Sequence, residues 1–197
     1  ILDTQDMAKT FFLRDARSIF GNKYLDICNA NEKVLFKVEQ DGTSDFVVMR
    51  KGREIANIES SDRWLFNQDY KIVLDNNEED DDDSKGTTTT TAHWGENRGW
   101  FSTDFTLTED SRSSSIKVEE EAHGLCEPSE YIFRRCGRRI ATLTNLKDGC
   151  CSECFVLNVK NLEQENVIVL LCGAVLMFRH VLEKRRRESA VAPAAAG

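Results

Sequence analysis

Proline is almost absent from this chain, with two in 197 residues. Proline cannot donate to a β ladder and breaks helix interiors, so its scarcity leaves many consecutive strands free to pair. Histidine is nearly as rare: His93, His123 and His180 are the full set. No two of them have a spacing that suggests a metal site or a catalytic triad, and Glu/Asp pairs are too common to single any out. G-x-S-x-G, P-loop, G-x-G-x-x-G and H-E-x-x-H patterns are all missing. The expectation is a protein that is not an enzyme and needs no cofactor or metal. N-x-S/T acceptor sites are missing too, and the seven cysteines are odd in number and irregularly spaced. Both facts favour free thiols in a reducing compartment, and no secretory pattern follows Ile1, so a cytoplasmic location is expected.

Charge is unevenly spread. The net value is −8, with six carboxylates in the run Glu78–Asp83 and four cations in Lys184–Arg187. An acidic body argues against nucleic-acid binding, which rests on neutralising many phosphates. The acidic run lacks the spaced ligands and glycine of an EF-hand, so a solvated loop is expected there.

What the chain has in abundance is alternation. Val34/Phe36/Val38, Phe46/Val48, Ile72/Leu74, Phe105/Leu107, Ile116/Val118, Tyr131/Phe133 and Phe155/Leu157/Val159 each put apolar residues on one face of a strand. Strands are expected over 10–16, 23–29, 33–39, 45–51, 54–59, 63–66, 70–75, 100–109, 114–121, 130–136, 138–145 and 154–160. The links "NANEK", "QDGTS", "RKGRE" and "RCGRR" are turn formers of hairpin length. About twelve strands in a mainly antiparallel meander must curl and bury their apolar face, which predicts a mainly β barrel. Asn76–Gly99, "NNEEDDDDSKGTTTTTAHWGENRG", is expected to be a low-complexity insertion without regular structure. Residues 1–8 read as an N-terminal extension and 185–197 as a disordered tail, leaving a barrel domain over 9–184.

Only one long apolar run exists: twelve residues, Val167–Phe178, followed at once by charge. As a helix it would span about 18 Å, against about 30 Å for a bilayer core. It is apolar all round, so it must be enclosed on every side. A helix over Asn166–Leu182 inside the barrel is the expected arrangement. Glu163 and Glu165 before it and Arg179–Arg187 at its end match the helix dipole.

"FFLRDARSIFGNKYLDICNANEKVLFKVE", "FVVMRKGREIANIE" and "ECFVLNVKNLEQENVIVLLCGAVLM" together resemble the LURP-one-related family of the tubby C-terminal-like superfamily, which includes the phospholipid scramblases. The resemblance spans about residues 9–184. It implies a twelve-stranded barrel threaded by the C-terminal helix. For function it implies a non-catalytic module that recognises phosphoinositide or other anionic phospholipid head groups through basic surface residues, peripherally at the inner membrane surface. The acidic insertion departs from the pattern, and the cysteines are not dense enough to carry over scramblase chemistry. Two other classes stay open: a protein-interaction scaffold in which Glu78–Asp83 docks a basic partner, and a scramblase-like protein inserted in the membrane.

The residue signal for anion binding is "FRRCGRRI". Arg134, Arg135, Arg138 and Arg139 surround one turn, and guanidinium pairs suit bidentate phosphate contacts. Arg50, Lys51 and Arg53 on another turn are expected to extend this patch. The competing reading is a solvated hairpin whose arginines pair with glutamates such as Glu130. Lys184–Arg187 is either a lipid contact or a helix end leaving the barrel for water. Cys150, Cys151 and Cys154 lack a second C-x-x-C for zinc, and read as free thiols ahead of a strand rather than as lipidation sites.

Overall fold

The structure is a computed structural model that describes residues 10–16, 23–42, 44–64, 67–75, 89–98, 103–121, 130–148, 152–160 and 166–191. Twelve strands run in order: β1 (Thr10–Asp15), β2 (Lys23–Cys28), β3 (Val34–Asp41), β4 (Asp45–Arg50), β5 (Arg53–Trp64) and β6 (Asn67–Asp75). They continue as β7 (Thr89–Arg98), β8 (Thr103–Glu109), β9 (Ile116–Glu121), β10 (Glu130–Arg135), β11 (Arg138–Asp148) and β12 (Ser152–Val159), then α1 (Val167–Val191). Each strand pairs antiparallel with its sequence neighbours, and β1 pairs with β12, so the meander closes into a barrel with no free edge.

Twelve strands about 4.8 Å apart and tilted make a ring roughly 24 Å across, too wide for strand side chains alone to fill. α1 occupies the gap, since a helix with its side chains is about 10–12 Å in diameter. Every residue from Val167 to Phe178 is buried, and Val169, Leu170, Leu171, Cys172, Val175, Met177 and Phe178 are fully enclosed. The apolar run is therefore a core helix. At its centre, an added Cβ on Gly173 would lie 3.3 Å from each of Leu107, Phe133 and Trp94, so the small residue lets the barrel wall close on the helix. Among the described residues no helix is long and apolar enough to cross a membrane.

Three details differ from the sequence reading. Thr89–Arg98, within the expected unstructured insertion, is strand β7, paired to β6 along its length and to β8. Its threonines are β-branched, and Ala92, Trp94 and Glu96 alternate inward, so strand pairing outweighed the polar composition. The rest of that insertion, 76–88 and Gly99, lies outside the described residues. Second, 54–59 and the described part of 63–66, Arg63 and Trp64, belong to a single strand, β5, so the expected count of twelve survived one missed and one divided strand; 65 and 66 lie outside the described residues. Third, α1 continues nine residues past Leu182 to Val191, absorbing the first part of the expected tail. Lysine, arginine and glutamate favour helix, and Glu183 bridges Arg179 at 2.7 Å and Arg187 at 3.7 Å, both with i,i+4 spacing. Neither terminal turn carries the expected dipole charges. The start is capped instead by Asn166, whose Oδ1 accepts from the Val169 amide at 3.3 Å. Glu163 and Glu165 lie outside the described residues.

Burial also governs the thiol on α1. Loss of solvation pushes Cys172 up to about 12 from a reference of 9.0. A thiol raised on folding favours the native state while it stays neutral, below the unfolded value. Stability is therefore expected to fall as pH rises above about 9 towards about 12. Alkaline denaturation of wild type against Cys172→Ala checks this: the variant loses the cysteine's part of the slope. An unchanged slope would place Cys172 in contact with water.

Candidate functional site

Because strands alternate in direction around the ring, every hairpin can be assigned to one of two ends. The entry end, where α1 begins, holds the β4–β5 turn, the β8–β9 connection, the β10–β11 turn, and Asp75 and Thr89. The exit end holds the β3–β4 turn and the place where α1 leaves.

A buried carboxylate and its partners lie at each end. At the entry end Glu109 continues the inward face of Phe105 and Leu107 on β8 and is 2 % exposed. Arg135 donates to it at 2.5 Å and to the Ser114 carbonyl at 2.9 Å, while Arg112 approaches Glu109 at 3.5 Å. At the exit end Glu96 is buried and faces His180 Nδ1 at 3.2 Å, and His180 stands edge-on to Phe105. Arg179 donates to Glu183, to the Ser44 carbonyl and to the Tyr70 hydroxyl, and lies over the rings of Phe46 and Tyr70. Glu109 continues the Phe105 and Leu107 parity at spacing two, whereas Glu96 falls in the segment expected to be without regular structure.

The arginine hairpin forms as its sequence implies. Cys136 and Gly137 both have positive φ, 49° and 74°, the geometry of a two-residue turn that matches sheet twist. Its charges, however, are largely taken. Arg134 donates to Glu119 at 2.9 Å, Arg135 is held by Glu109, and Arg139 reaches back along β10 to Glu130 at 2.6 Å. Arg138 is exposed and makes no ion pair among the described residues. The paired-hairpin reading describes this turn better than a preformed phosphate clamp.

The second basic turn has the same backbone, with Lys51 at φ 51° and Gly52 at φ 80°. Arg50 lies over the Phe36 ring, 5.8 Å from its centroid, Arg53 approaches Asp75 at 3.5 Å, and Lys51 is exposed. Both turns sit at the entry end, but β4–β5 and β10–β11 are on opposite walls of the ring. More than roughly 20 Å separates them, so the two turns do not form one continuous patch.

Exposed cations are concentrated instead where α1 projects from the exit end. Lys184, Arg186 and Arg187 are exposed, and Arg185 is half-buried. Lys184 lies 3.6 Å from Glu120, Arg187 approaches Glu183, and Arg186 has no ion pair among the described residues. Beside this stub is a small notch of about 120 Å³ lined by Tyr24, Gln40, Phe46, Arg179, Glu183 and Arg186. Among the described residues no group of three or more His, Cys, Asp or Glu side chains could hold a metal ion. Cys154 is buried on β12, whereas Cys150 and Cys151 lie outside the described residues, as does the acidic run Glu78–Asp83. No protein-family model, curated protein or solved structure matches the chain.

Proposed function

We propose that the chain is a non-catalytic, LURP-one/tubby-like binding module that docks on anionic phospholipid at a membrane surface. The observation that carries this reading is the projecting end of α1, with four consecutive cations outside the barrel and the apolar length of the same helix consumed inside it. Such a helix offers charge to a bilayer and keeps no long apolar face for insertion. Each basic residue near an anionic leaflet contributes about 1 kcal/mol, and the attraction is screened over about one Debye length. The helix presents its cations around its circumference, so roughly three of them engage at once, worth about a hundredfold in partitioning. Arg138 and Lys51 sit at the entry end, the opposite end of the barrel from this stub, and take no part in the docking.

Flotation of the full chain with phosphoinositide-containing and neutral liposomes, at low and high salt, is the test. Wild type is expected to float only with the charged liposomes and less at high salt. Replacing Lys184, Arg185, Arg186 and Arg187 by glutamine is expected to lower partitioning about a hundredfold, whereas Arg138→Gln with Lys51→Gln changes it by much less. Flotation unaffected by the four stub substitutions would sink the reading. The alternative is a scaffold that docks a basic protein through Glu78–Asp83, a run that lies outside the described residues.

A further inference from the structure

We infer that the notch beside the projecting helix is a seat for a single phosphate-sized oxyanion, gripped by Arg179 and Arg186. Residues 179, 182, 183 and 186 recur at i, i+3, i+4 and i+7, so one face of α1 forms the whole inner wall of the notch. Tyr24 and Phe46 form the floor and Gln40 the rim.

Arg179 is unusually well fixed for an arginine at a barrel mouth. Its Nε donates to Glu183 at 2.7 Å, its Nη1 bonds the Ser44 carbonyl at 3.2 Å and the Tyr70 hydroxyl, and two aromatic rings flank it. Only 13 % of the side chain is exposed. Its Nη2 makes no hydrogen bond among the described residues, so two N–H donors remain on a guanidinium that pays no further ordering cost on binding. Arg186, two turns further on, brings a second guanidinium without an ion pair among the described residues. Glu183 stands between them, but its carboxylate already serves Arg179 and Arg187. Two cations therefore face the notch against one compensated anion.

Volume restricts the ligand class. At about 120 Å³ the notch is well below the roughly 300 Å³ at which small-molecule pockets begin, so it holds one small group and does not enclose a whole nucleotide or sugar. A tetrahedral oxyanion fits, with bidentate N–H contacts from the guanidiniums. The aromatic floor lowers the local dielectric and strengthens those contacts. This deepens the lipid-surface reading by giving it a head-group seat, and rests on that reading only for the source of the phosphate.

Titration of the full ¹⁵N-labelled chain with inorganic phosphate, at constant ionic strength, reads the site directly. Saturable shifts are expected at Arg179 and Gln40. Arg186→Gln should weaken them about tenfold, and Arg138→Gln, which removes the same charge from an exposed position at the opposite end of the barrel, should not. Shifts that never saturate, or equal weakening in both variants, overturn the proposal. Vesicles of phosphatidic acid and of phosphatidylserine at matched charge then separate the sources. A phosphomonoester preference lost only in Arg186→Gln assigns the lipid head group. Saturable phosphate binding with no such preference assigns free phosphate. Vesicle recruitment without any phosphate titration overturns the notch and leaves the surface reading standing.

Discussion

Val175→Asp is expected to prevent folding altogether. Val175 is fully enclosed, midway along the buried part of α1 and two residues from Gly173, with barrel wall on every side. An aspartate there is either an unpaired charge or a neutral acid without a described partner, and effective penalties for such groups reach several kcal/mol. The lost valine packing adds about 1.5–3 kcal/mol. Together these rival the 5–15 kcal/mol that holds a typical domain folded. Near-UV circular dichroism of the variant should show no fixed tertiary signal. The same substitution at Val34, which is 40 % exposed at the start of β3, should be close to neutral. A folded Val175→Asp protein would mean that the helix does not fill the barrel.

Glu109→Ala should cost about 3–5 kcal/mol, because it removes the buried carboxylate that balances the charge of Arg135, only 10 % exposed, at the entry end. Arg112 loses its contact with Glu109 as well, but at 34 % exposure it can turn to water. The informative comparison is the double variant Glu109→Met with Arg135→Met. Well-packed apolar replacements for a buried ion pair are often neutral or stabilising, so the double variant is expected to recover most of the loss. Urea midpoints of the three proteins supply the numbers. Additive losses in the double variant would show that the pair is not coupled. One consequence concerns the hairpin arginines: replacing all four at once would take Arg135 away from the buried Glu109, so a loss of lipid binding in that variant would report unfolding.

Legibility followed the strength of local patterning. The barrel and its enclosed helix were readable because alternation of period two recurs along the chain, and because an all-round apolar run of twelve residues is too short for a bilayer and too apolar for a surface. β7 was missed because "TTTTT" beside an acidic run reads as low complexity, whereas the Ala92/Trp94/Glu96 parity that places it in the wall spans only three residues. Glu96 itself masked that parity, since its inward position is intelligible only once His180 is known to face it. The far end of α1 was missed because a cationic run marks both a helix terminus and a good helix interior. Arginine spacing around Gly137 located a real turn but said nothing of Glu109 and Glu119, which reach it from other strands. Pairing between distant strands is set by barrel register, and no local window contains it.

The central claim is that α1 is the core of the barrel. Native-state amide hydrogen exchange of the detergent-free chain tests it most directly. If the claim holds, the amides from Leu170 to Phe178 exchange only through global unfolding, with the same free energy as the slowest amides of β6 and β11, while those beyond Arg186 exchange far faster. Exchange of the Leu170–Phe178 amides well before the strands would contradict it, because a helix that opens while the wall stays intact is not what the wall is built around.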